Sequence, residues 1–255
     1  MLSVISPAKT LDFESACPPH KSSECGYLDA SGELITELRR LSRADLAGLM
    51  GISPALAELN HQRYKDWSLP LHEDNARAAL FAFKGDVYTG LTFDTYSGGD
   101  LKFAQKHLRI LSGLYGLLRP LDLMSPYRLE MGTALKTPRG KNLYDFWGDR
   151  LSEGVNTALA KSGSNVLVNL ASQEYFKAVS PAKLEGRIVT PHFKEKKNGE
   201  YKIVSFFAKK ARGMMVDYLI KNAINEPDAM KSFDTDGYRF NPALGDSDNW
   251  VFTRG

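Results

Sequence analysis

The chain has 255 residues, of which 43% are hydrophobic, 25% charged and 11% aromatic, a composition that is ordinary for a globular protein and excludes a disordered one. Its longest apolar runs are far shorter than the roughly 20 residues that span a bilayer. The first residues lack the basic leader and the long apolar stretch of a signal peptide, so we expect a cytoplasmic protein with no membrane partner.

The first third of the chain is predicted to contain one strand and several helices. Residues 1–7 form the expected first strand, and apolar residues at helical spacing over 34–41 predict an amphipathic helix. A further helix is predicted over 54–67, with Ser53 as its N-cap. The pair Gly85-Asp86 indicates a turn into a short extended segment.

The middle of the chain mixes helix and strand. The apolar positions over 100–111 predict an amphipathic helix whose lysines and arginines face solvent. Residues 143–161 are predicted as helix, and 165–170 as a buried strand. Since strands and helices do not alternate regularly, the pattern does not indicate a doubly wound fold.

The C-terminal part is predicted to begin with a hairpin over 187–207. Its turn is the pair Asn198-Gly199, which strongly favours type I′ geometry between alternating arms. Helix is predicted over 209–222, and short strands over 238–241 and 250–253. The expected fold is therefore α+β, a mixed α/β protein: a single domain of residues 1–255 with a mixed or antiparallel sheet and surrounding helices.

Positive charge is concentrated in two windows of the sequence. Residues 101–141 hold eight Lys and Arg against two Asp and Glu, and residues 187–213 hold the same numbers. Each window carries +6, so the other 187 residues carry 3 minus 12, or −9. Any single run of charge is more often a solvated face, but two such zones on a nearly neutral body indicate a polyanion site. The windows point to nucleic acid as the partner.

The segment 111–117 resembles the centre of a helix-hairpin-helix DNA-binding element. Gly113 and Gly116 would let the backbone approach a phosphate, and Tyr115 is expected to stack on an exposed base. The alternative is a helix C-cap glycine followed by a core turn. On the first interpretation residues 101–141 form a helix-hairpin-helix-like insertion, whose phosphate contacts give affinity for DNA without sequence preference.

Neither a metal centre nor a familiar catalytic motif is predicted. Cys17, His20 and Cys25 match no zinc spacing, and the scattered histidines argue against direct iron binding. Ser6 and Lys9 share the Ser-x-x-Lys spacing of penicillin-binding proteins, but the companion motifs are missing. We therefore expect no metal, no cofactor and no catalytic residue of a known class.

Five segments taken together resemble the YaaA family. They are Ser6–Asp12, Phe83–Leu91, Leu111–Gly132, Asn169–Ser172 and Phe207–Gly213. The match spans nearly the whole chain. The resemblance implies a protein of the hydrogen peroxide stress response that lowers free intracellular iron and so limits Fenton chemistry and DNA damage. It also implies binding of duplex or branched DNA through a positively charged cleft on a mixed α/β fold.

Two functions follow as competing hypotheses, neither of which requires an obligate protein partner. In the first, both basic windows serve one DNA-binding cleft, whose residues are Lys102, Lys106, Arg109, Gly113, Tyr115, Gly116, Arg119, Lys209, Lys210 and Arg212. In the second, the protein is an enzyme acting on a nucleotide or a nucleic acid in a polar pocket formed by Lys9, Lys84, Asp86, Tyr88, Arg128 and Glu130. In that pocket Arg128 and Glu130 are equally consistent with a structural ion pair.

Overall fold

A mixed sheet organises the structure, a computed structural model that describes residues 1–255. In chain order the strands are β1 (Leu2–Ile5), β2 (Thr10–Leu11), β3 (Arg77–Ala78), β4 (Phe83–Lys84), β5 (Leu108–Ser112), β6 (Gly116–Leu118), β7 (Leu123–Met124), β8 (Val166–Leu170), β9 (Arg187–Lys197), β10 (Glu200–Lys202), β11 (Arg239–Phe240) and β12 (Asn249–Arg254). Strands β2 and β4 form one short antiparallel pair, and β3 and β7 form another.

The main sheet has the order β11-β12-β9-β8-β1-β5-β6, with β10 paired to the end of β9. Its five central strands are parallel to one another, whereas β6, β10 and β11 are antiparallel additions. Every residue of β1, β5 and β8 is buried, as expected for parallel strands covered on both faces. The predicted class, a mixed α/β protein with a mixed sheet and surrounding helices, is confirmed.

Nine helices surround this sheet. In chain order they are α1 (Leu28–Arg39), α2 (Arg43–Met50), α3 (Pro54–Asp66), α4 (Ala79–Ala82), α5 (Gly98–His107), α6 (Leu143–Trp147), α7 (Arg150–Ser162), α8 (Gln173–Phe176) and α9 (Ser205–Lys221). The buried apolar side chains form one continuous cluster that joins helices and sheet. None of the helices is long and apolar enough to cross a membrane.

Helices α7 and α9 cover opposite faces of the sheet. Leu108 and Arg109 are neighbours on β5, and adjacent strand residues point to opposite faces. Leu108 lies against Val216 and Leu219 of α9, whereas Arg109 points into a cavity lined by α7. The sheet therefore separates the Arg109 side chain from α9.

Several local predictions are confirmed. The first strand is β1, and Ser53 caps α3 by accepting a hydrogen bond from the Leu56 amide at 3.3 Å. Asn198 and Gly199 form a two-residue turn between β9 and β10. Their φ angles are +54° and +80°, as a type I′ turn requires.

The predicted helix-hairpin-helix element is wrong. Helix α5 ends at His107, and the residues that were expected to continue it form strand β5 in the middle of the sheet. A short apolar run is compatible with a buried helix or a buried strand, and here pairing with β1 decides for the strand. Gly113 and Gly116 belong to the turn and second arm of the β5–β6 hairpin, so residues 101–141 are no helical insertion.

Two element boundaries also differ from the prediction. The helix expected over 143–161 is interrupted at Gly148, whose φ of +50° lies in the left-handed region. The second arm of the hairpin ends at Lys202, and α9 begins at Ser205 rather than at residue 209. The two cysteines, Cys17 and Cys25, are free thiols.

The position of the N-terminus predicts a pH dependence of stability. Burial lowers the pKa of the Met1 amine from 8.0 to about 6 and lowers the pKa of His107 below its usual 6.5. Over about pH 5.5 to pH 8 the unfolded chain therefore binds more protons than the folded one, and the free energy of unfolding rises with pH. We expect a higher urea midpoint at pH 8 than at pH 5.5.

The variant His107→Gln should show a smaller rise in the urea midpoint, because one of the two groups is removed. The matched control is His72→Gln, since His72 is exposed and should leave the rise unchanged. A midpoint that is equal at both pH values would contradict the prediction.

Candidate functional site

A cavity of about 460 Å³ lies at the carboxyl ends of the parallel strands β1 and β8. This edge is where open α/β sheets commonly bind ligands. Its lining residues are Ser6, Pro7, Ala8, Lys9, Thr10, Lys84, Gly85, Asp86, Val87, Tyr88, Glu130, Ser172, Glu174, Tyr175, Lys209 and Arg212. We call it the carboxyl-edge cavity.

The floor of the carboxyl-edge cavity is formed by the first residues after the two strands. Ser6 follows β1, and Ser172 follows β8 by two residues. The Ser172 amide donates a hydrogen bond to the Ser6 hydroxyl at 2.9 Å, and the two hydroxyls lie 3.2 Å apart. The Tyr88 hydroxyl, on a buried side chain, donates to the Ser6 carbonyl at 3.3 Å. These bonds hold both strand ends in place.

Two glycines bring α9 to the wall of the cavity. A Cβ at Gly213 would collide with the carbonyl oxygen of Val87, and a Cβ at Gly90 would collide with that of Lys210. Only glycine permits this approach of a helix to the turn after β4. As a result, the Lys209 ammonium lies 3.2 Å from the Asp86 carboxylate, although 123 residues separate them in sequence.

Most charged groups at the cavity are paired. Lys9 lies 2.8 Å from Glu130, which also accepts a hydrogen bond from Arg128 at 3.0 Å. Lys84 lies 3.2 Å from Asp12. Hydrogen bonds from the amide and the hydroxyl of Ser15, together with further donors, hold the pKa of Asp12 well below its usual range. These lysines remain largely exposed, so an incoming anion can displace or join their carboxylate partners.

Arg212 is the exception among the charged groups. Its side chain projects from α9 into the carboxyl-edge cavity, and burial lowers the pKa of the guanidinium below its usual value. No carboxylate or carbonyl of the chain accepts a hydrogen bond from it. Its nitrogens are also not among the side-chain atoms that are fully buried without a hydrogen-bond partner. A desolvated arginine stays protonated and gains most from a bidentate anion such as phosphate. The cavity therefore presents a guanidinium without a carboxylate partner.

The structure brings most of the predicted polar pocket together. Five of its six residues line the carboxyl-edge cavity: Lys9, Lys84, Asp86, Tyr88 and Glu130. The sixth, Arg128, contacts the cavity only through Glu130. Two residues predicted to contact DNA, Lys209 and Arg212, line the same cavity. Residues of both predicted sets, the polar pocket and the DNA contacts, therefore lie in one cavity.

The other residues of the predicted DNA set lie elsewhere. Lys102 and Lys106 are exposed on α5, and Lys210 is half-buried; none of the three lines the cavity. The hairpin residues Gly113, Tyr115 and Gly116 are buried. The carboxyl-edge cavity therefore holds two of the ten residues of the predicted DNA set.

Tyr115 cannot stack on an exposed base. Its ring is fully buried, and its hydroxyl accepts hydrogen bonds from the Trp67 indole at 3.0 Å and from the Ser125 amide at 2.9 Å. Burial raises the pKa of this hydroxyl. The carbonyl of Gly113 accepts a hydrogen bond from the Trp147 indole at 3.0 Å. The segment is therefore a core turn, but Gly113 follows strand β5 and does not cap a helix as the alternative also expected.

Arg109 and Arg119 line a second cavity, of about 490 Å³, on the α7 face of the sheet. Arg109 is buried and donates to the carbonyls of Gln105 and Leu108 at 3.0 and 2.7 Å, which caps the end of α5. Arg119 pairs with the buried Asp122 at 2.9 Å. Both arginines thus have structural partners within the chain.

Sequence reasoning missed Ser172, Glu174 and Tyr175 as cavity residues. Glu174 accepts a hydrogen bond from the Gly132 amide at 2.9 Å, and the Tyr175 ring is buried in the wall. The signal that points to them is their position directly after the buried strand β8, at the edge where ligands of parallel sheets bind. No three His, Cys, Asp or Glu side chains lie close enough together to hold a metal ion.

Comparison with known proteins shows what this chain is similar to. The family model described as peroxide stress protein YaaA matches residues 1–244. A protein named UPF0246 from Teredinibacter turnerae is 57% identical over 254 residues, covering 100% of this chain and 99% of the relative. UPF0246 proteins from Hahella chejuensis and Cellvibrio japonicus are each 54% identical over 254 residues, covering 99% and 98% of the relatives.

Proposed function

Because the chain belongs to the peroxide stress protein YaaA family, we propose that it acts in the cytoplasm during peroxide stress by binding DNA phosphates at the carboxyl-edge cavity. In this role it limits oxidative damage to DNA and the level of free intracellular iron. The binding is proposed for duplex or branched DNA and does not depend on base sequence.

The single observation that supports this proposal most is Arg212. An arginine that the fold has desolvated without giving it a partner costs free energy in the unliganded protein. A phosphate oxygen pair repays that cost through two charge-assisted hydrogen bonds. The cavity lining holds four cations, Lys9, Lys84, Lys209 and Arg212, against three carboxylates, Asp86, Glu130 and Glu174. The excess of positive charge favours an anionic ligand over a neutral one.

Contacts to phosphate explain why sequence preference is not expected. Phosphate contacts position a protein on DNA but carry no base information directly. The proposed site is the carboxyl-edge cavity, to which the second basic window contributes Lys209 and Arg212. A phosphate occupied by Lys209 or Arg212 does not hold a ferrous ion, so bound DNA becomes a poorer site for Fenton chemistry. The limitation of free iron enters the proposal on the strength of the family relation.

The proposal is tested by measuring duplex affinity as a function of salt. For the wild-type protein, log affinity should fall linearly with log salt, with a slope of about −0.9 per phosphate contacted. Lys209→Ala should reduce the magnitude of that slope by about one unit and weaken all sequences alike. Lys102→Ala is the matched control, because Lys102 is exposed on α5 outside the cavity, and it should leave the slope unchanged. An affinity that does not vary with salt would reject the proposal.

A second candidate function is an enzyme that acts on a nucleotide or a nucleic acid in the same cavity. The observation that favours it is the placement of Asp86 beside Lys209 and of Glu130 beside Lys9, since positioned carboxylates next to a bound phosphate are able to transfer protons. The two functions are separated by incubating a labelled oligonucleotide with the protein. A binding protein releases it unchanged, whereas an enzyme releases a product.

A further inference from the structure

Large apolar side chains are exposed at the start of α9, directly before the cationic residues of the carboxyl-edge cavity. Ile203, Phe206 and Phe207 are 57%, 55% and 40% exposed. The other exposed large apolar residues are all leucines, on other segments. Exposed phenylalanine rings beside a basic site are unusual for a merely solvated surface, because aromatic surface is costly to hydrate.

Helical periodicity relates Phe206 to the cavity. Residues three and seven apart lie on one stripe of a helix, so Phe206 shares its stripe with Lys209 and Gly213. Lys209 faces Asp86, and Gly213 packs against Val87 in the cavity wall. Phe206 therefore lies at the outer end of this stripe, about 4.5 Å beyond Lys209 along the helix axis. A ligand that binds Arg212 and Lys209 reaches Phe206 next.

The two phenylalanines are not equivalent. The Arg254 guanidinium covers the Phe207 ring at 4.9 Å from its centroid. The aromatic neighbour of the Phe206 ring is Phe207, edge-on, with ring centroids 5.6 Å apart and an interplanar angle of 68°. With 55% of its side chain exposed, Phe206 is accessible to a ligand, whereas the Phe207 ring is covered by Arg254.

We propose that Phe206 stacks on an unpaired nucleobase of DNA whose phosphate is held by Arg212 and Lys209. The inference rests on the proposed function, which supplies the phosphate contact. A flat aromatic face next to lysine and arginine matches the alternation of base and phosphate along a single strand, and stacking accepts any base. Bases of an intact duplex are stacked inside the helix, so the site favours DNA with a gap, a bulge or a branch point.

The test compares full-length wild-type protein with Phe206→Ala on two DNAs: a fully paired duplex, and the same duplex with a short single-stranded gap. Wild type should bind the gapped DNA about tenfold more tightly. Phe206→Ala should bind both DNAs alike, with the affinity for paired duplex retained. A 2-aminopurine placed in the gap should lose fluorescence on binding wild type and should not on binding the variant. Leu59→Ala, at a residue 45% exposed on α3, should behave as wild type.

Wild-type protein that binds both DNAs equally, or a Phe206→Ala protein that keeps the preference for the gap, would overturn the inference while leaving DNA binding intact. Failure of wild type to bind either DNA would instead reject the proposed function, and the inference with it. If Phe206→Ala keeps the preference but changes the sedimentation of the protein from oligomer to monomer, the exposed rings belong to a self-association surface and the inference is again overturned.

Discussion

Replacing Arg212 with Met is expected to weaken binding of DNA about 30-fold, which corresponds to ~2 kcal/mol. Methionine keeps most of the side-chain volume and removes the charge in the carboxyl-edge cavity that has no partner within the chain. The same substitution should leave the melting temperature unchanged or raise it, since no carboxylate of the unliganded protein pairs with this partly buried guanidinium. Both quantities are measured directly, by fluorescence anisotropy with a labelled duplex and by calorimetry.

The matched control is Arg43→Met. Arg43 lies on α2, where it pairs with Glu58 and is 61% exposed, and surface pairs of this kind contribute little to stability. Neither affinity nor melting temperature should change by a measurable amount. If Arg212→Met binds DNA as wild type does, the cavity is not the phosphate site. If it melts several degrees lower, the guanidinium has a structural role instead.

Replacing Gly213 with Ala is expected to cost about 3 kcal/mol of unfolding free energy, measured by urea denaturation. In an isolated helix this change would stabilise by about 1 kcal/mol. Here the new Cβ would collide with the carbonyl oxygen of Val87, and a main-chain atom cannot move aside as a flexible side chain does. Helix α9 must then shift away from residues 85–90, which separates Lys209 from Asp86 and weakens DNA binding as well.

Gly48→Ala provides the comparison, because Gly48 lies within α2 and a Cβ there meets no atom within 4 Å. This variant should be more stable than wild type by about 0.5–1 kcal/mol and should bind DNA normally. Equal stabilities of the Gly213 and Gly48 variants would show that α9 has room to relax, and the close approach would then not be what positions Lys209.

The sequence determined those features whose cause lies within a few neighbouring residues. Ser53 and Pro54 set the start of α3, and the pair Asn198-Gly199 sets the turn between β9 and β10. Each of these two features depends on hydrogen bonds or φ angles of a few consecutive residues. The mixed α/β class followed from the same local patterns, because helix and strand have different apolar periods.

Only the tertiary structure decided between helix and strand over 108–112. The apolar spacing fits both, and the choice for β5 comes from pairing with β1, which is about a hundred residues away in the chain. Because of the same pairing, Tyr115 and Gly113, which were expected to contact DNA, are buried in the core. A buried strand in a parallel sheet has no alternation by which sequence alone would reveal it.

The candidate site was likewise predicted from the sequence only in part. The sequence supplied the residue types, since it predicts Lys9, Lys84, Asp86 and Glu130 as one polar pocket and all four line the cavity. It did not reveal that Lys209 lies beside Asp86, because that contact joins residues 123 positions apart. A count of charges along the chain also does not show on which face of the sheet each charged side chain lies. Neighbouring residues of a strand point to opposite sides of a sheet, so Arg109 came to lie on the face opposite α9 although both windows carry the same charge.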